Sequence, residues 1–156
     1  MGIGISHYSL ITDNKRIVDI GGGPVSMLLK CLGLKEGLVI DPIRYPDWTL
    51  DRYKSKNISV TVDVGENLNV EGWDEVWIYN CLQHVHDPQK IISNAKKAAR
   101  FLRIFEWIDI PAHPGHPHML TKNLLDSWIG QSGVSGTFSS GGCHGKAYYG
   151  AFYHGI

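Results

Sequence analysis

The sequence predicts an α/β domain whose mostly parallel sheet is flanked by helices. Three observations predict it. Strand-like and helix-like patterns alternate along the chain, as they do in successive βαβ units. The unusual residues gather where predicted strands end, and in parallel sheets ligands sit outside the carboxyl ends of the strands. The 156 residues, 43% hydrophobic and 19% charged, suit one globular domain over 1–156.

Each element follows in order. "RIVDIG" is a β-branched run that ends at glycine. "PVSMLLKCLG" opens with Pro24 and stops at Gly33, which predicts a helix with proline in its first turn. "GLVIDP" is a short apolar strand ending at Asp41, and "PDWTLDRYKSK" predicts a helix from Pro46 or Asp47. "ISVTVDVG" and "WDEVWIYN" read as strands, the second ending at Asn80. "HDPQKIISNAKKAARFL" is the clearest helix: Asp87 caps it, and Ile91, Ile92, Ala95, Ala99 and Leu102 form an apolar stripe opposite Lys90, Lys97 and Arg100. "LRIFEWID" reads as a strand, "TKNLLDSWIG" as a helix capped by Thr121, and "SGTFSS" with "KAYYGAFYHG" as a closing β-hairpin.

Composition removes several function classes. Lys+Arg and Asp+Glu both number 15, so no global charge draws the chain to nucleic acid or an acidic membrane. No window nears 18 uninterrupted apolar residues, and "MGIGISHYSLITDNKR" lacks the pattern of a signal peptide. Cys31, Cys81 and Cys143 are odd in number and lack metal-type spacing, which fits small core residues in a reducing, cytoplasmic compartment.

The stretch "VDIGGGP" holds the first site. Gly21, Gly22 and Gly23 lie between a strand and the next predicted helix, where a bound ligand can approach the backbone closely. A dinucleotide fingerprint would need a third glycine where Ser26 stands. Asp19, two residues before Gly21, also disfavours a pyrophosphate. Asp41 ends the second strand, where a carboxylate accepts from ribose hydroxyls, and Asp63 ends the third. Three acidic residues at successive strand ends, beside a glycine turn, suit an uncharged nucleoside carrying a cationic tail; S-adenosylmethionine is such a molecule. Turn chemistry is the simpler alternative for both "IDP" and "DVGEN".

In this order and spacing, "VDIGGGP", "VIDP", "VDVGEN" and "DEVWIYNCLQHVHDP" resemble the successive motifs of class I S-adenosylmethionine-dependent methyltransferases. The resemblance implies a Rossmann-like, seven-stranded, mostly parallel sheet with an antiparallel last strand, and S-adenosyl-L-methionine as cofactor. By the same resemblance Asp19, Gly21 and Gly23 wrap the amino-acid part of the cofactor and Asp41 takes the ribose. Asp63 and Val64 contact the adenine, while Asn80 and Cys81 line the methionine end. The chain departs from its relatives in reaching its first strand by residue 16. Either the first fifteen residues, a second subunit or a large acceptor must then cover the site, which predicts a possible homo-oligomer. "NCLQHV" is also not the signature of enzymes that methylate DNA bases.

"IDIPAHPGHPHMLTKN" places His113, His116 and His118 within six residues of a proline-stiffened loop, on the same edge as the cofactor motifs. Methyl transfer needs an aligned acceptor and often a base, and histidine suits that task. His116, His118 and His84 are the candidate catalytic residues; His86 is a further one. A metal site with Glu106 or Asp109 has the right donor types but no spacing that fixes a geometry, and a purely structural loop is the plain alternative. No metal is expected. Tyr45 and Trp48 are candidates to border an adenosine pocket; Trp73, Trp77, Trp107 and Trp128 fit the core, and the final aromatic strand fits packing or a subunit interface. The expected function is methylation of oxygen or nitrogen on a small-molecule or sugar-like acceptor. The alternative is an inactive cofactor-binding module that supports a partner subunit.

Overall fold

The computed structural model describes residues 9–140 and 143–155. Seven strands build one sheet: β1 (Arg16–Ile20), β2 (Glu36–Asp41), β3 (Ile58–Val62), β4 (Trp73–Tyr79), β5 (Ala99–Ile108), β6 (Val134–Ser140) and β7 (Cys143–Tyr153). Their order across the sheet is β3-β2-β1-β4-β5-β7-β6. Strands β1 to β5 are parallel, and β7 lies antiparallel between β5 and β6. Only two residues separate β6 from β7 in the sequence, and so short a link joins antiparallel neighbours. The order steps outward from β1 to β3, then returns to β4. That switch point lies between β1 and β4, where a parallel sheet opens a crevice at its carboxyl edge.

Three α-helices flank the sheet: α1 (Asp47–Lys54), α2 (Pro88–Ala98) and α3 (Lys122–Ile129). Asp87 caps α2 by accepting from Lys90 N at 2.9 Å. Thr121 caps α3 through Leu124 N, and Gly130 ends it at φ +79°. Val18, Ile20, Val76, Ile78, Leu102 and Ile104 pack with Ile91, Ile92, Leu125 and Ile129 in the larger core. On the opposite face Ile17, Val39, Ile58 and Trp77 pack with Leu28 and with Tyr53 of α1.

Two expectations are corrected. The helix predicted over 24–33 does not form. Instead two 3₁₀ turns, Gly23–Val25 and Met27–Lys30, lead into a two-residue strand, Cys31–Leu32, paired in parallel with Leu10–Ile11. Ser26 is the reason: it is extended at φ −55°, ψ 147°, its hydroxyl donates to Asp19 at 2.5 Å and accepts from Leu28 N. A serine committed in this way takes the backbone out of a helical ladder. The second correction is the end of α2. Ala99 and Leu102 belong to β5, where Ala99 pairs with Trp73; strand pairing overrides helical periodicity here.

The N-terminal segment does not close over the carboxyl edge as far as it is described: residues 9–15 contribute nothing to the cleft there, and residues 1–8 lie outside the described residues. No helix among the described residues is long and apolar enough to cross a membrane.

Candidate functional site

A cleft of about 500 Å³ opens at the carboxyl ends of β1, β2, β3 and β4. The ends of β1 and β2 contribute Ile20, Gly21, Ile40, Asp41, Pro42 and Ile43, the loop after β3 gives Val64, Gly65 and Glu66, and the β4 turn gives Asn80, Cys81, His84, Val85 and His86. The size and the mainly apolar wall with a few polar groups suit a small organic ligand. Ile43 and Val64 are 59% and 41% exposed, two aliphatic side chains left open at the cleft without an internal packing reason.

The glycine turn shapes the floor. Gly21 sits at φ +70°, and a Cβ there would lie 2.7 Å from Cys81 Cβ. A Cβ on Gly22 would lie 2.5 Å from Asp19 Oδ2. Asp19 is thus a buried strut beneath the turn rather than part of the cleft wall. Burial pushes its carboxyl up to about 7, against the opposing hydrogen bond from Ser26 and with the nearby Asp41 adding to the rise. Tyr53 of α1 holds the turn from the far side, accepting from Ser26 N at 2.9 Å and donating to Gly23 O at 2.6 Å.

Asp41 is buried with both oxygens in use. Oδ2 accepts from Gly23 N at 3.2 Å and Oδ1 from Ile43 N at 2.9 Å. Burial, followed by the hydrogen bond to Asp41, raises the pKa of Tyr45. Carboxylate oxygens offer about four acceptor sites, so Asp41 retains capacity for a ligand hydroxyl while bracing the turn. Asp63 lies outside the cleft wall and turns its Oδ1 to Val64 N and Asn67 Nδ2, each at 2.8 Å.

The turn after β4 rests on Glu106. Asn80 adopts φ +57°, and the next two amides, Cys81 N and Leu82 N, donate to Glu106 Oε1 at 2.9 and 3.0 Å. Glu106 is fully buried on β5, and its Oε2 has no hydrogen-bond partner among the described residues. Burial pushes this carboxyl up to about 8, although the two amide donors pull the other way. Cys81 in turn packs under Gly21 and donates its thiol to Ile20 O at 3.3 Å. Burial raises that thiol well above its ordinary range, which leaves it a neutral spacer.

The histidine loop packs behind the cleft wall, against His84. His113 and His116 pair their backbones in a tight bridge, and the His116 ring meets His84 edge-on at 4.5 Å and His113 at 4.4 Å between centroids. His84 Nδ1 lies 2.8 Å from Gly115 O. That carbonyl can only accept, so Nδ1 donates to it, and in the neutral ring the lone pair is on Nε2. Partial burial and the neighbouring His84 and His113 lower the His116 pKa. His118 turns away, with Nε2 at 2.8 Å from Val85 O. Among the described residues no group of three or more His, Cys, Asp or Glu side chains is arranged to hold a metal ion.

Of the residues singled out by sequence, Gly21, Asp41, Val64, Asn80, Cys81 and His84 line the cleft, whereas Asp19, Gly23, Asp63, His116 and His118 stand behind or beside it. Tyr45 and Trp48 do not line it either; Tyr45 is buried and Trp48 is exposed beside Arg52. Sequence reasoning passed over Glu66 and considered Glu106 only as a metal ligand, not as the brace of the β4 turn. Glu66 Oε1 accepts from His86 N and Asp87 N, each at 2.9 Å, joining the β3 loop to the start of α2. Its position inside "DVGEN" was a signal, and so was Glu106 in a row that otherwise reads Leu102, Ile104, Ile108.

No family model and no curated protein matches the sequence. Solved structures do match in shape. The magnesium protoporphyrin IX methyltransferase ChlM from Synechocystis PCC 6803, with bound SAH, superposes with a TM-score of 0.64 at 13% identity, over 87% of this chain and 73% of that one. The fold is that of the class I S-adenosylmethionine-dependent methyltransferases. A SAM-dependent methyltransferase from Aquifex aeolicus agrees, with a TM-score of 0.58 at 15% identity over 90% of this chain and 83% of that one. The [4+2]-cyclase SpnF shares the fold as well, at a TM-score of 0.62 and 14% identity, over 81% of this chain and 53% of that one. A class I methyltransferase fold therefore carries more than one kind of chemistry, and function must be argued from the cleft.

Proposed function

We propose that the chain is an S-adenosylmethionine-dependent methyltransferase that methylates oxygen or nitrogen on a small-molecule or sugar-like acceptor. The observation that carries this reading is the cleft at the carboxyl edge of a methyltransferase fold, built from the glycine turn, Asp41 and the β4 turn, with His84 in its wall. The residues present fit the cofactor. Ile43 and Val64 offer aliphatic flanks for a planar base, Asp41 keeps acceptor capacity for ribose hydroxyls, and Gly21 lets a ligand lie against backbone. Asn80 and Cys81 stand where the sulfonium end would be received.

When bound, S-adenosylmethionine supplies an activated methyl group: a bond forms from the acceptor heteroatom to that carbon as the carbon–sulfur pair returns to sulfur. The chain's own part is to position, to keep water out and to move one proton. His84 Nε2, free because Nδ1–H is held by Gly115 O, takes the proton from the acceptor. His116 packs edge-on against His84 and supports the ring plane. Aligning two reactants in this way can remove about 7–11 kcal/mol of a barrier.

Calorimetric titration of S-adenosylhomocysteine tests the reading. Micromolar binding is expected for the wild type, with a loss of at least about tenfold in Asp41→Ala, on the order of one charge-assisted hydrogen bond. Absence of both heat and thermal stabilisation in the wild type overturns it.

A further inference from the structure

A second depression, of about 350 Å³, adjoins the cleft and shares His86 with it. Pro117, Met119, Leu124 and Trp128 contribute most of its apolar wall. Met119 is 51% and Leu124 36% exposed, so neither is spent on the core. Its polar rim is partly committed. Asp87 Oδ1 caps α2, and His118 Nε2 lies against Val85 O. Gln89, His86, the second oxygen of Asp87 and the other ring nitrogen of His118 are left to meet a ligand, and no lysine or arginine lines it.

We propose that this depression is the acceptor subsite and that it takes the uncharged, flat aromatic body of a phenol-like acceptor, whose hydroxyl reaches past His86 into the cofactor cleft. The proposal rests on the methyltransferase reading of the cleft and narrows its acceptor. A carboxylated or phosphorylated body would find no lysine or arginine to offset its desolvation. A sugar would leave several hydroxyls facing Met119, Leu124 and Trp128, with too few fixed partners to satisfy them. An aromatic ring asks only for contact area, which a tryptophan, a methionine and a leucine supply.

The test uses 2-naphthol as the probe, titrated by its fluorescence into protein with and without saturating S-adenosylhomocysteine. Two variants are compared. Leu124→Glu places a charge in the pocket at the third position of α3, where a glutamate completes a capping box with Thr121, so the helix is kept. Phe138→Glu places the same charge on exposed β6, remote from the pocket. The expected result is naphthol binding weakened at least tenfold in Leu124→Glu, unchanged in Phe138→Glu, and displaced by p-cresol but not by methyl glucoside or benzoate. S-adenosylhomocysteine affinity should stay within about twofold in both variants. Equal loss in the two variants, no loss in Leu124→Glu, or stronger displacement by methyl glucoside or benzoate overturns the proposal. Failure of S-adenosylhomocysteine to bind the wild type sinks the cofactor reading instead, while the naphthol titration without it still decides the pocket.

Discussion

Glu106→Gln should make the protein more stable, and increasingly so as pH rises. The buried carboxyl titrates near 8 in the folded chain against an ordinary value of about 4.5. Between those values the unfolded chain has lost the proton that the folded chain still holds, so folded stability falls as pH rises, and the loss is complete above about pH 8. At pH 7 the gap spans about 2.5 pH units, or about 3 kcal/mol at 1.36 kcal/mol per unit. Glutamine has the shape of the protonated acid and keeps an oxygen for Cys81 N and Leu82 N, yet never ionises. The assay is urea denaturation of wild type and variant at pH 5, 6, 7 and 8. Near pH 5 the two should agree within about 1 kcal/mol, as for a neutral swap that keeps its hydrogen bonds, and the variant should lead by about 3 kcal/mol at pH 7. Asp19, also raised by burial, titrates in both proteins and cancels in the difference. Parallel stability curves across this range would refute the reasoning and mean that Glu106 is ionised in the fold.

Two further outcomes follow from the site. Gly22→Ala should cost more than Gly23→Ala in both stability and S-adenosylhomocysteine affinity. At Gly22 the new Cβ meets Asp19 Oδ2 at 2.5 Å, while at Gly23 nothing lies within 4 Å and only φ +65° opposes it. Overpacking of that kind costs about 1–3 kcal/mol and a left-handed alanine about 1–2 kcal/mol; a reversed ranking in melting and calorimetry would show that the turn is not braced by Asp19. His84→Gln should lower turnover about 100-fold, the scale of a lost general base, with S-adenosylhomocysteine affinity unchanged. Steady-state rates on any acceptor that the wild type methylates decide it, and an unaltered kcat would remove His84 from proton transfer.

The parts of the fold that sequence made legible are those encoded locally. The β-branched runs, the Asp87 and Thr121 caps and the strand-end positions of Gly21, Asp41 and Asn80 can be read from a few neighbouring residues. Ser26 could not be read that way, since its partners are Asp19, seven residues before, and Tyr53, 27 residues after. These remote bonds replaced a helix that Pro24 and Gly33 punctuated convincingly. The meeting of His84 with His116 likewise depends on β4 and β5 lying side by side, which brings together the loops that follow them. Glu106 was legible in principle: alternation along β5 puts it in the buried row with Leu102, Ile104 and Ile108. What it holds, the amides of the β4 turn, is set by topology.

Tyr53 has a consequence for the cleft floor. A glycine turn followed by a long helix is anchored by that helix, and the two move as one piece. Here α1 holds the turn through the Tyr53 phenol, bonded on both sides of Pro24 and Val25, and through Arg52, which donates to Pro24 O. The glycine loop is therefore latched to an element that comes later in the chain and contributes nothing else to the cleft. Loosening α1 would leave the turn braced by Asp41 and Asp19 alone, so a helix that lines none of the cleft bears on the shape of its floor.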